Sequence, residues 1–227
     1  MTPEQLTGLS DNHLTQFMLG EKSFAVHPAV TEDLAALSLA AQKAGFQLSI
    51  ASGYRGFARQ SQIWNNKMLG QTPILDADSQ PLDCATLSAE EKIRAILRWS
   101  ALPGASRHHW GSDFDVYDRL ALPDNQRLKL EPWEYLTGHQ QPFYRWLCNN
   151  IGRFGFYFPY DKDRGGVAAE PWHISHYQTG QSCLQQLSCR VLASQLKQQP
   201  VEGKQSVLNL LESIYTQFIT NVNSEPL

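Results

Sequence analysis

Two short stretches constrain this chain more than anything else in it: SRHHWGSDFD at Ser106–Asp115 and EPWH at Glu170–His173. They carry His108, Asp115 and His173, three donors of the kind that close around a divalent metal, with Glu170 three residues before the last. Hydrolytic zinc sites use this kit: three neutral or anionic ligands, an open fourth position, and a carboxylate nearby to take a proton from water. Either stretch alone has an ordinary explanation. Surface loops often carry a His and an Asp, and Glu-x-x-His can be a structural Glu beside a core Trp–His pair. Their conjunction makes zinc hydrolysis the reading to beat.

The local patterns around them describe a mixed fold. Phe114 and Val116 point to one side of a strand, while Asp113, Asp115 and Tyr117 point to the other. Such a strand, backed by core, presents its carboxylates to an open face. His108 and His109 are adjacent and cannot both face one site from an extended segment. Upstream, Thr31 is placed to cap a helix with Glu32 and Asp33 in its first turn. Leu34, Leu37, Ala41 and Ala44 share one face of it, and Gly45 ends it. Phe46, Leu48 and Ile50 alternate as a strand that runs into the turn Ser52-Gly53-Tyr54-Arg55. A helix follows with Phe57, Gln60 and Trp64 at i, i+3, i+7.

Residues 70–104 read as a long excursion punctuated by Pro73, Pro81, Pro103 and Gly104. Inside it Ser88 and Glu91 form a capping box for a helix through about Ser100. Pro142 opens a helix carrying Phe143, Trp146, Leu147, Ile151 and Phe154, closed by Gly155. Phe156-Tyr157-Phe158 follows as a strand, and a polar, Gly-rich turn over 161–166 leads back to the second stretch. Two helices complete the chain, one lined by Leu184, Leu187, Val191 and Leu192, the other by Val207, Leu211, Ile214 and Phe218. The fold class is α+β, an antiparallel sheet flanked by helices.

Composition narrows the function. The chain has 227 residues, enough for one sizeable domain, and 42% apolar residues with six Trp to fill its core. No apolar run reaches the 18 or so residues of a membrane span. The N-terminus has no basic segment followed by an apolar one, so a cytoplasmic location is expected, or a periplasmic one had a leader been trimmed. A net charge of −3 without a Lys/Arg block gives no support to nucleic-acid binding through a basic face. Cys84, Cys148, Cys183 and Cys189 show no CxxC spacing and are expected as reduced, mostly buried thiols.

Ser106-x-His108-x-x-Gly111-x-x-x-Asp115 followed by Glu170-x-Trp172-His173 resembles the zinc carboxypeptidases of the VanY and VanXY type. These remove D-alanine from peptidoglycan peptides and lie within the lysostaphin, D-Ala carboxypeptidase and hedgehog fold group. Ser52-Gly53-Tyr54-Arg55 with Gln60 is similar to the family's SGYR-x4-Q segment, so three motifs stand in register over roughly residues 30–178. The resemblance implies Zn2+ held by His108, Asp115 and His173, with Glu170 as general base. It implies Arg55 as the group that binds substrate and stabilises the oxyanion, and Ser106 and Gln60 as contacts to the terminal residue or its carboxylate. It also implies a small antiparallel sheet with helices at its sides and a cleft on the sheet. The whole of 1–227 would then be one domain, with a C-terminal helical extension over about 179–227.

There are departures. The family commonly has a small residue where this chain has Asp113, which is left to bond a ligand histidine or to face solvent. His109 and Trp110 replace smaller polar residues and are expected to narrow the cleft, and with the 70–104 excursion they are the expected selectivity elements. Trp172 is expected to pack beneath the ligand loop. His13, His27 and His139 are expected to be exposed, and His176 to be near the ligands or at the surface. The implied substrate is a peptidoglycan peptide or muropeptide, with L,D-cleavage of recycled tetrapeptides preferred to D,D-cleavage. The rival readings are a D,D-dipeptidase or wall endopeptidase on the same scaffold, and a non-catalytic zinc-stabilised binding module. Glu170 and Arg55 argue against the last, and the absence of a GxSxG elbow fits a reaction without a covalent intermediate.

Overall fold

The computed structural model describes residues 1–77 and 79–224. Asp78 of the excursion and the last three residues of the expected extension lie outside the described residues. In chain order the elements are α1 (Pro3–Leu6), β1 (Thr15–Leu19), β2 (Lys22–Val26), α2 (Thr31–Lys43), β3 (Leu48–Ser52), α3 (Phe57–Met68) and α4 (Ala89–Leu97). There follow β4 (Asp113–Asp118), α5 (Pro132–Leu136), α6 (Gln141–Asn150), β5 (Phe156–Tyr157) and β6 (His173–His176). The last four helices are α7 (Tyr177–Gln186), α8 (Cys189–Gln198), α9 (Lys204–Asn209) and α10 (Leu211–Ile214).

The central sheet is antiparallel with the order β3-β4-β6-β5. Its register matters more than its size. Asp115 on β4 stands directly opposite His173 on β6, and residues so paired project their side chains to the same face. A register shift between Ile50 and Ser52 on β3 sets Ser52 opposite Asp115 on the other flank. The sheet thereby delivers the ends of all three sequence motifs to one place.

The opposite face is apolar. Phe114, Val116, Ile50 and Ile174 pack with Leu34 and Leu37 of α2 and with Phe143 and Leu147 of α6. A second core joins Phe57 and Trp64 of α3, Ile93 and Ile96 of α4, and Leu184, Leu192, Val207 and Ile214 of the C-terminal helices. Two separated stretches of sequence, the excursion and the C-terminal helices, therefore share one apolar interior. Each buried side chain of this size contributes about 1.5–3 kcal/mol.

Several local expectations hold and several shift. The Ser88–Glu91 capping box is present, although α4 ends at Leu97. Thr31 is the first helical residue of α2 and not its cap; its hydroxyl donates to the Pro28 carbonyl of a preceding 3-10 turn. The first C-terminal helix is broken at Leu187, which is extended and fully buried, and Ser188 caps α8 by accepting from the Val191 N–H. The second is broken into α9, α10 and a π turn over Tyr215–Ile219. The hairpin β1–β2 was not foreseen, because its side chains are mostly exposed or half-buried and show little alternation. All of β4 is buried, so its carboxylates meet no open face: Asp115 lines a cleft at 5% exposure and Asp113 is fully buried. Of the four free cysteines only Cys183 is buried, and burial pushes its thiol up to about 12. Among the described residues, no helix is long and apolar enough to cross a membrane.

Candidate metal centre and catalytic cleft

A 3-10 turn, Arg107–Trp110, leads into β4 through Gly111 at φ +68°. A Cβ there would meet Leu14 Cδ2 at 2.5 Å and the His27 backbone nitrogen at 2.8 Å, so only glycine fits. The turn separates the two adjacent histidines. His108 lines a cleft of about 350 Å³ together with Arg55, Ser106, Asp115, Glu170 and His173. His109 and Trp110 do not line it, so they do not narrow it. The His109 ring ties two loops together, bonded through Nδ1 to the Arg55 carbonyl and accepting from the Gly104 N–H through Nε2.

At the floor of the cleft, donor atoms of His108, Asp115 and His173 lie within 4.8 Å of one another. His108 Nε2 is 3.5 Å from Asp115 Oδ2, and His173 Nδ1 is 3.3 Å from Asp115 Oδ1. That Asp115 Oδ1 is buried and lacks a properly aligned hydrogen bond. Leaving such an oxygen unmet costs about 1–3 kcal/mol, and a cation among the three donors removes the cost. Two imidazoles and one carboxylate, converging and poor in hydrogen bonds to each other, suit zinc. Burial pushes His108 down to about 3, which keeps it neutral as a ligand must be. Burial opposes a proton on His173 too, but Asp113, Asp115 and Glu170 outweigh it and hold that pKa well above the usual value. Three carboxylates around one imidazole make a place for positive charge.

The open question of Asp113 has a definite answer. Its Oδ1 lies 3.1 Å from His173 Nε2, which leaves His173 Nδ1 to the donor cluster. A carboxylate on the far nitrogen fixes the tautomer and orientation of a ligating histidine. Asp113 also accepts from Arg107 Nε at 2.7 Å and from Ser112 Oγ at 2.8 Å. Burial pushes the Asp113 carboxyl up, yet Arg107 and His173 overcome this and hold it well below the usual carboxylate range. Arg107, 3% exposed, donates further to Ser175 Oγ and the Tyr157 hydroxyl. The sequence reading passed over Arg107. Its signal was an extra acid and an extra base placed together around a ligand motif.

Glu170 sits at the edge of the cluster, with Oε2 3.3 Å from His173 Nδ1. Its backbone N–H donates to the Tyr160 carbonyl, and its own carbonyl accepts from His173, so the turn presents both side chains to the cleft. Burial raises the Glu170 pKa. The Tyr160 ring, another residue passed over in the sequence, stands edge-on to His173 at 5.0 Å and lines the cleft.

Arg55 reaches the same floor from the turn after β3. Its Nη1 donates to Gln60 Oε1 at 2.9 Å and its Nη2 to Ser52 Oγ at 2.8 Å. Burial lowers its pKa, while Asp115 and Glu170 pull the other way. Gln60 is fully buried and spends its amide nitrogen on the Ala101 carbonyl. It positions Arg55 from beneath, where the sequence suggested a contact to substrate. Ser106 is 1% exposed and lines the cleft, and Trp172 packs with Tyr117 and Tyr135 while also lining it. His13, His27 and His139 are half-buried, not exposed. His176 is buried away from the cluster, bonded to Asp33 and to Thr179 at the start of α7.

The model of the VanY D-alanyl-D-alanine carboxypeptidase family matches residues 23–179. The chain belongs to that family, and so to the zinc peptide hydrolases that trim peptidoglycan peptides. It is 35% identical over 121 residues to an uncharacterized protein of Haemophilus influenzae, covering 52% of this chain and 92% of that one. It is 29% identical over 170 residues to a D-alanyl-D-alanine carboxypeptidase of Enterococcus faecalis, covering 73% of this chain and 52% of that one. Among solved structures it resembles VanYB in complex with D-alanine-D-alanine, at TM-score 0.51 and 25% identity over 77% of this chain and 83% of that one. A vancomycin-resistance D,D-pentapeptidase VanY variant in complex with Zn(II) is similar at TM-score 0.50 and 26% identity, over 72% and 77%. The α+β fold expected from the motifs is the fold these structures share.

Proposed function

We propose that His108, Asp115 and His173 hold the zinc of this carboxypeptidase, that Glu170 is its general base, and that its substrate is a peptidoglycan-derived peptide ending in D-alanine. The observation that carries the assignment is the convergence of three buried donors within 4.8 Å beside both Glu170 and Arg55. When bound, zinc supplies Lewis-acid polarisation of a carbonyl and acidifies water. Glu170 accepts the proton of the attacking water and delivers it to the leaving amine. Arg55, held at both terminal nitrogens by Gln60 and Ser52, keeps its charge aimed at the place where the carbonyl oxygen becomes negative. Asp113 holds the ring of His173, and Arg107 holds Asp113. Ser106, which lines the same cleft, is assigned to the terminal residue of the substrate.

Mass spectrometry of muropeptides incubated with zinc-loaded protein tests this directly, with tetrapeptide and pentapeptide substrates side by side. Loss of a single D-alanine from either, absent in Glu170→Gln, is the expected result. Loss of a dipeptide, or cleavage only within intact wall, would replace it with one of the neighbouring activities. The ratio of kcat/KM on the two peptides assigns the L,D- or D,D-preference.

A further inference from the structure

The cleft has a cation that the reaction does not use. Lys67, in the last turn of α3, lines the same cleft as the donor cluster. No ion pair or hydrogen bond joins its ammonium to another described residue, although Asp115, Glu131 and Glu170 share the cleft with it. It is half-buried, and burial alone pulls its pKa down from the ordinary lysine value. The nearby walls are partly apolar, with Ile63 one turn earlier on the same helix and Leu75 and Trp99 from the excursion. An ammonium half withdrawn from water and lacking a partner is a poor choice for stability alone, and a strong one for binding an anion that arrives with substrate.

Its position says which part of the substrate that is. Gln60 and Lys67 are seven residues apart on α3, so their backbones are separated by about 10.5 Å along the helix axis. Gln60 holds Arg55, which marks the scissile bond. An extended peptide advances roughly 3.3–3.6 Å per residue, so one running beside α3 would pass the root of Lys67 about three residues from that bond. A carboxypeptidase has only one residue on its leaving side. On that path the distant cation faces the retained part of the peptide.

We infer that Lys67 is a specificity residue that binds a free carboxylate on the retained portion of the substrate, two to three residues before the scissile bond. The anion is distinct from the terminal carboxylate, and it belongs to a side chain or branch of an acidic residue in the peptide stem. Exposed Lys129, which also lines the cleft, adds to the positive field without being buried enough to discriminate. The inference rests on the carboxypeptidase reading above and adds to it a preference among peptides.

The test uses zinc-loaded full-length protein and pairs of peptides ending in the same D-alanine. Within each pair the second or third retained residue is Glu in one member and Gln in the other. The wild type is expected to favour one Glu peptide by about tenfold or more in kcat/KM, the scale of one hydrogen-bonded charge pair. Lys67→Met should bring that ratio close to one, Lys67→Arg should keep most of it, and Lys67→Glu should reverse it. A wild type indifferent to the exchange, or a preference that survives in Lys67→Met, overturns the inference and leaves the zinc carboxypeptidase standing. A wild type that cleaves neither member, while other muropeptides also resist it, removes the parent reading and this one with it.

Discussion

Asp113, Asp115 and Glu170 each place an oxygen within 3.3 Å of a His173 nitrogen, yet the geometry divides their work. Asp113 takes Nε2, while Asp115 and Glu170 share the Nδ1 side. Glu170→Gln should therefore keep zinc and lose about 10²–10⁴ in kcat, measured as metal content beside turnover. Loss of the metal in that variant would make Glu170 a ligand. Asp113→Asn keeps the shape and can still accept from His173, but it gives up the charge that makes the imidazole a better donor. Its zinc affinity should fall about 10–100-fold in a chelator competition while the fold persists. Arg55 is a fork gripped at both prongs. Arg55→Lys cannot satisfy Gln60 and Ser52 together, so kcat should drop with little change in KM. A change confined to KM would assign Arg55 to carboxylate binding instead.

At the scale of elements, the centre depends on how closely α7 approaches β6. Gly180 on α7 allows it: a Cβ there would lie 2.6 Å from Arg107 Nη2 and 2.6 Å from Ser175 Oγ. In a free helix Gly→Ala is favourable by roughly 0.5–1 kcal/mol. Here Gly180→Ala should lower Tm and weaken zinc binding together, because Arg107 must leave Asp113 or the helix must back away. Thermal melts with and without zinc read both effects, and an unchanged metal affinity would separate Arg107 from the centre. The β4–β6 register is equally demanding. A slip of one residue would turn Asp115 and His173 to opposite faces and bury Phe114 among carboxylates.

For the whole molecule, metal and fold are linked. A ligand present at about a hundred times its Kd adds about 2.7 kcal/mol to stability, worth roughly 5–10 °C in a chain of this length. Chelation should lower Tm of the wild type by that order and leave His173→Ala unmoved. An equal shift in both would place the stabilising ion elsewhere. One apolar core carries the sheet and the other carries α3 and α4, and the cleft is lined from both, by Asp115 and His173 of the sheet and by Ile63 and Lys67 of α3. Arg55, Lys67 and the ligands therefore keep their spacing only while the C-terminal helices stay packed on α3 and α4.

Much of this is legible in the sequence. Helix and strand periods are local, so α2, the Ser88–Glu91 box, β4 and α6 could be read from neighbours a few residues apart. The candidate ligands and Glu170 announced themselves through donor type and spacing, because metal chemistry restricts which side chains will serve. Partners drawn from distant sequence could not be read in this way. Whether Asp113 faced solvent or His173, whether Gln60 touched substrate or braced Arg55, and whether His109 lined the cleft all turned on a register and a turn. So did the partnering of the excursion with the C-terminal helices, which share a core across more than a hundred residues of sequence. Side-chain periodicity says which face is apolar and nothing about what will cover it. That choice belongs to packing, and packing placed the charged groups around the three donors.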